Sequence, residues 1–179
     1  MKNIIMAKLG LVLVMFCIVP LGYAADTVDQ ADDASINASI YMYISNGVFN
    51  EYQEDLNYSS KILDEFVKGN ISKRDAMIAT TSLFTLTSQT AEAIVRVSPP
   101  PEFADYHDNS VGTLVYFKAY LWSLAKFYET GATKYAVQAN DSFNISVKFY
   151  EAAKIELDKL LIDLEQAEME RLILTRRSS

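Results

Sequence analysis

The chain has 179 residues, half of them hydrophobic, with 16 basic and 23 acidic side chains, one histidine and one cysteine. Its formal charge of −7 argues against a nucleic-acid partner, because phosphate binding needs a basic surface. A single cysteine excludes an internal disulfide, and the length suits one domain whose stability comes from its core.

Residues 1–24 read as an export signal. Lys2 and Lys8 supply the positive flank, Leu9 to Val19 is apolar apart from Gly10, Pro20 breaks the run, and Gly22-Tyr23-Ala24 offers small residues for cleavage after Ala24. The run is shorter than the roughly 20 apolar residues of a spanning helix, which disfavours a retained anchor. Cys17 follows Met15-Phe16 rather than a small residue, so it does not suggest lipidation. Cleavage leaves 155 residues with 14 basic and 23 acidic side chains and no cysteine, a charge near −9. The expected location is extracytoplasmic: secreted, periplasmic, or at the cell envelope or surface.

Residues 25–34 are acidic without apolar periodicity and predict a flexible leader. From 35 the pattern turns helical: Ile36, Ile40, Tyr43/Ile44, Val48, Tyr52, Leu56, Ile62/Leu63 and Phe66 recur mostly at three- and four-residue steps. Lys68-Gly69-Asn70 ends this first helix, and Asn46-Gly47 marks a candidate kink. Ser72 with Asp75 three positions on predicts an N-cap for a second helix over 73–97. Its expected apolar line is Ala76, Ala79, Leu83, Leu86, Ala93/Ile94 and Val97, with the threonines covering much of the rest.

Ser98-Pro99-Pro100-Pro101 divides the two halves. A residue before proline is pushed out of the α region, so helix stops by about Val97, whereas Pro101 fits the first position of a new helix. The third helix sets Phe103, His107, Ser110, Leu114, Phe117, Leu121, Leu124 and Tyr128 on alternating four- and three-residue steps, the coiled-coil seam spacing of packed helices. Gly131 ends it. A fourth helix follows on Ala136, Ala139, Phe143, Val147, Tyr150, Leu157, Leu160/Leu161, Leu164 and Ala167, with Asn140-Asp141-Ser142 as a possible interruption and a fraying tail over 171–179. Four long helices with short connections predict an all-α, antiparallel up-down-up-down four-helix bundle over 35–170.

No Cys-x-x-Cys-His motif, pair of Glu-x-x-His motifs, nucleophile elbow or glycine-rich phosphate loop is present, so neither an enzyme nor a cofactor is expected. His107 has two readings: a structural residue at the bundle mouth, bonded to Asp105, Asp108 or an opposing backbone group, or a ligand to non-covalent haem or a metal with Met42 or Met77. Tyr116, Tyr120 and Trp122, with Phe117, Phe127 and Tyr128, either fill the core or join His107 in lining a pocket for an apolar ligand. The acidic pairs Glu51/Asp55, Glu54/Asp55 and Asp64/Glu65 read as a solvated helix face. Asn37, Asn57, Asn70, Asn140 and Asn144 begin five Asn-x-Ser sequons among nine asparagines, against roughly one expected, which suggests a glycoprotein with Asn37 and Asn70 the most accessible sites.

Pro99 to Glu102, Phe103 and His107, in the order signal, two helices, Pro-Pro-x-Glu-Phe break, two helices, resemble exported small helical prokaryotic proteins of unknown function. The resemblance implies a single extracytoplasmic four-helix domain and no catalytic residue. The expectation is thus a non-catalytic bundle that binds a protein partner or small apolar ligand, with the haem or metal carrier as alternative.

Overall fold

A computed structural model describes the backbone of residues 30–177 and, within it, the side chains of 36–166 and of Met169. The stretch read as an export signal, the part of the expected leader up to residue 29 and the last two residues lie outside it. The described chain is all helical: α1 (Gln30–Val67), α2 (Lys73–Val95), a 3-10 turn (Pro101–Phe103), α3 (Ala104–Thr130) and α4 (Thr133–Arg177). α1 begins inside the stretch read as a leader, and α4 continues through the stretch read as a fraying tail. Neither Asn46-Gly47 nor Asn140-Asp141-Ser142 interrupts its helix.

Two glycines end helices where the sequence places stops. Gly69 (φ 74°) and Gly131 (φ 71°) adopt the left-handed conformation that a Cβ disfavours, and the Gly131 N–H donates back to the Phe127 carbonyl. Ser72 caps α2 by accepting from the Asp75 N–H at 3.2 Å. The four helices pack against one another around a core that α3 dominates. All eight residues of its predicted seam, Phe103 to Tyr128, are buried.

On the other helices the seam is heptad-spaced but shifted. In α1 it runs Ala38, Tyr41, Ser45, Val48, Tyr52, Asp55, Ser59, Ile62 and Phe66, at strict three- and four-residue alternation. Ile36, Ile40 and Tyr43, expected in the core, are more than half exposed, and Asp55, expected on a solvated face, is 1% exposed. In α2, Thr80 and Thr87 are fully buried, whereas Ala79 and Leu86 are only half-buried. A buried hydroxyl is tolerated when its proton reaches a carbonyl one turn back, as in Ser45 to Tyr41 (2.7 Å) and Thr87 to Leu83 (3.0 Å, shared with Asp55), whereas the buried Thr80 hydroxyl has no partner among the described residues.

Hydrogen bonds between helices reuse the same polar positions. Tyr52 Oη lies 3.3 Å from Ser146 Oγ, which donates to the Thr113 carbonyl at 2.8 Å, so one chain joins α1, α4 and α3. The Thr87 hydroxyl reaches Asp55 Oδ2 at 2.9 Å and ties α2 to α1.

Candidate functional site

The triproline break builds one end of the bundle. α2 closes on short-range bonds, Arg96 N–H to Ala93 and Val97 N–H to Ile94, because the following prolines cannot continue the helix. Pro100 is extended (ψ 148°), and Pro101 opens the 3-10 turn, closed by the Phe103 N–H on the Pro100 carbonyl at 2.9 Å. Phe103 therefore turns inward. It is fully buried, with its ring centroid 5.1 Å from that of Tyr41 and 6.5 Å from that of Tyr106.

One turn further, His107 stands beside Tyr41, with Nδ1 2.9 Å from the phenol oxygen. The structure thus corrects the expected partner: His107 meets the hydroxyl of another helix, not Asp105, Asp108 or a backbone group. Burial lowers the His107 pKa, with Asp108 opposing that shift, and burial likewise raises the Tyr41 pKa, aided by Tyr106 and Asp108. Both shifts favour the neutral forms, and which of Tyr41 Oη and His107 Nδ1 donates follows from the imidazole tautomer.

The outer side of Tyr41 helps to floor an open groove of about 370 Å³ between α1 and the triproline segment. Asn37, Ile40 and Ile44 form one wall and Val97, Ser98 and Pro100 the other. Its surface is mainly apolar, and the exposed Ile36 and Tyr43 extend the apolar strip along α1. Sequence reasoning missed this groove because Ile36, Ile40 and Ile44 also fit a helical period. The competing seam at Tyr41 and Ser45 contains a serine and looked less apolar.

The other expected ligand residues are not brought together. Tyr116 stacks on Phe149 (5.5 Å, 14°) and Tyr120 is buried between Phe117 and Phe143 with its hydroxyl 3.5 Å from Ser59. Trp122 is half exposed, against Phe84 on α2 and under the Lys126 ammonium. Fifteen residues of helix, roughly 22 Å, separate His107 from Trp122. Met77 packs at the far end of α2, a turn and more beyond the Phe84–Trp122 contact, so it does not share a site with His107. Met42 packs at the His107 end, in the cluster around Tyr41 and Phe103. Among the described residues no three His, Cys, Asp or Glu side chains are grouped closely enough to hold a metal ion, and no helix is long and apolar enough to cross a membrane.

All five sequon asparagines are exposed, and Asn37 edges the groove. Asn70 follows Gly69 and bonds Glu65 through its amide at 3.2 Å. Three of the sequon serines have structural work: Ser59 and Ser146 bond inside the core, and Ser72 caps α2. Helix packing thus accounts for part of the excess of Asn-x-Ser triplets. Compared with protein-family models, curated proteins and solved structures, the chain shows no match, so its own geometry carries the functional reading.

Proposed function

We propose that this is an exported, non-catalytic four-helix bundle of up-down-up-down topology that captures an apolar ligand, or an apolar segment of a protein partner, in the groove at its triproline end. The observation that carries the reading is that groove, with Ile36 and Ile40 of α1 more than half exposed along it. An exposed apolar strip bordering a concavity is a common mark of a binding surface, and about 370 Å³ falls within the range of small-ligand sites. Tyr41, which lines the groove, suits this use, since its hydroxyl is engaged by His107 and it places no charge beside an apolar guest.

Residue pairs support the topology. Tyr41 meets Phe103 and Phe66 meets Tyr128, so α1 and α3 run alike. Thr113 pairs with Ser146 and Tyr120 with Phe143, so α4 runs against α3. Export rests on the signal-like residues 1–24, and glycosylation at Asn37 would set a sugar at the rim of the groove.

The test is titration with the uncharged fluorophore N-phenylnaphthylamine, for the wild type and Ile40→Asp. Saturable binding lost in the variant at unchanged helicity supports the groove; equal binding by both rejects it. The same preparation decides the carrier reading. A Soret band or stoichiometric metal lost in His107→Ala would establish the carrier in place of apolar capture.

A further inference from the structure

The outer face of α2 is built differently from the rest of this acidic surface. Between Asp75 and Glu92 no residue is charged, and Ala76 to Ala91 supplies a face of small, apolar and hydroxyl side chains. Ile78, Thr81, Ser82 and Thr85 are exposed and line a shallow groove of about 260 Å³ together with Met77. Two of the hydroxyls are turned back onto their own helix, Ser82 to the Ile78 carbonyl (3.0 Å) and Thr85 to the Thr81 carbonyl (3.1 Å). Their protons are already engaged, so covering these two hydroxyls strips water only from their acceptor lone pairs.

Arg74, Ile78, Thr81, Thr85 and Glu92 lie on the side of α2 opposite the buried Leu83, and all but Ile78, whose counterpart is the half-buried Ser88, pair symmetrically about it. Thr81 and Thr85 stand two residues either side of Leu83, and Arg74 and Glu92 nine either side. Both charged ends are exposed and neither forms an ion pair among the described residues. A helix laid antiparallel on this face, with its own Leu83 at the same level, sets Thr81 against Thr85, and Arg74 against Glu92 twice. A parallel arrangement sets Arg74 against Arg74 and Glu92 against Glu92.

We propose that two copies of the chain associate through the outer faces of α2, antiparallel about a two-fold axis at the level of Leu83. Self-complementarity is what selects a second copy over an unrelated partner, because only an isologous contact requires the sequence to match its own reversal. Charge points the same way. Two chains of strongly negative net charge repel, and this uncharged face with opposite charges at its ends is where they meet without that penalty. One helix pair makes a small interface, so the dimer is weak, with a dissociation constant on the order of 10–100 µM. The proposal does not depend on the triproline groove; in such a dimer the two grooves lie at opposite ends.

Sedimentation velocity on the purified full chain over a concentration series tests it. The expected result is a concentration-dependent dimer that Thr85→Glu weakens by about ten-fold or more, with helicity and melting temperature unchanged because the position is exposed. Arg74→Glu should weaken it about ten-fold, and Arg74→Glu/Glu92→Arg should restore it to within about three-fold of wild type. A monomer throughout the series overturns the proposal and leaves the face to another class of partner. A dimer indifferent to Thr85→Glu, or a double charge swap that fails to rescue, overturns it as well.

Discussion

Two buried tyrosines in the same core should respond with opposite signs to loss of their hydroxyl groups. Tyr128 is 1% exposed, packs its ring 4.8 Å from that of Phe66, and its hydroxyl finds no hydrogen-bond partner among the described residues. Burial raises its pKa strongly, as expected of a phenol taken out of water without compensation. An unpaired buried polar group costs about 1–3 kcal/mol, so Tyr128→Phe, which keeps the ring contacts, should stabilise the fold by ~1 kcal/mol after the small loss of packing around the missing oxygen. Tyr52 is 2% exposed and equally surrounded by rings, but its hydroxyl joins Ser146 at 3.3 Å. Tyr52→Phe should therefore destabilise by ~1 kcal/mol. The assay is urea unfolding at pH 7 followed by circular dichroism. The expected readout is a shift of the two midpoints in opposite directions at unchanged slope, about 2 kcal/mol apart. If Tyr128→Phe proves as destabilising as Tyr52→Phe, the Tyr128 hydroxyl is satisfied in solution and the reasoning fails.

Three further outcomes follow from the same core. Tyr41, Tyr52, Tyr106, Tyr120 and Tyr128 all have pKa values raised chiefly by burial, so the unfolded chain releases their protons first as pH rises past about 10. Stability should then fall by up to about 1.4 kcal/mol per pH unit for each, and tyrosinate absorbance from these five should rise only together with loss of helix. His107, lowered by burial, behaves oppositely. Its contribution is complete above the unfolded value near 6.5 and is lost as pH falls through the folded value, so unfolding midpoints compared at pH 7 and pH 5.5 should drop less in His107→Gln than in wild type. Gly112→Ala would set a Cβ 2.6 Å from the Phe149 ring, itself stacked on Tyr116. Overpacking should outweigh the gain in helix propensity and cost ~1–2 kcal/mol, and Gly112→Ala/Phe149→Leu should recover most of that loss in thermal melts.

The four helices, their stops at Gly69, the triproline and Gly131, and the whole α3 seam are legible in the sequence because each rests on a local rule, whereas the outer ends of α1 and α4 are not. Proline excludes the helix, glycine accepts φ near 70°, Ser72 caps, and Phe103 to Tyr128 alternate at heptad steps with mainly apolar residues. The seams of α1 and α2 are less legible, since their heptads contain Ser45, Asp55, Ser59, Thr80 and Thr87. Hydropathy alone passes over such positions. The signal that identifies them is the unbroken alternation from Ala38 to Phe66, which runs through Asp55 as though it were apolar. The site was half legible: the sequence marks His107 and the triproline, but nothing local reveals that its partner is Tyr41, sixty-six residues away.

The misread registers and the two proposed surfaces are the same places. In α1 the core takes Tyr41 and Ser45, and this leaves Ile36, Ile40 and Tyr43 outside beside the groove. In α2 the core takes Thr80 and Thr87, and this leaves Ile78 outside on an uncharged face. Specific interior bonds favour the observed registers: Tyr41 with His107, Thr87 with Asp55 and Ser59 near Tyr120 each join two helices at this alignment. Departures from local consistency of this kind are expected where function makes demands on the surface. Polar bonds inside the bundle hold apolar residues outside it, and this links the core of the protein to what it offers a partner.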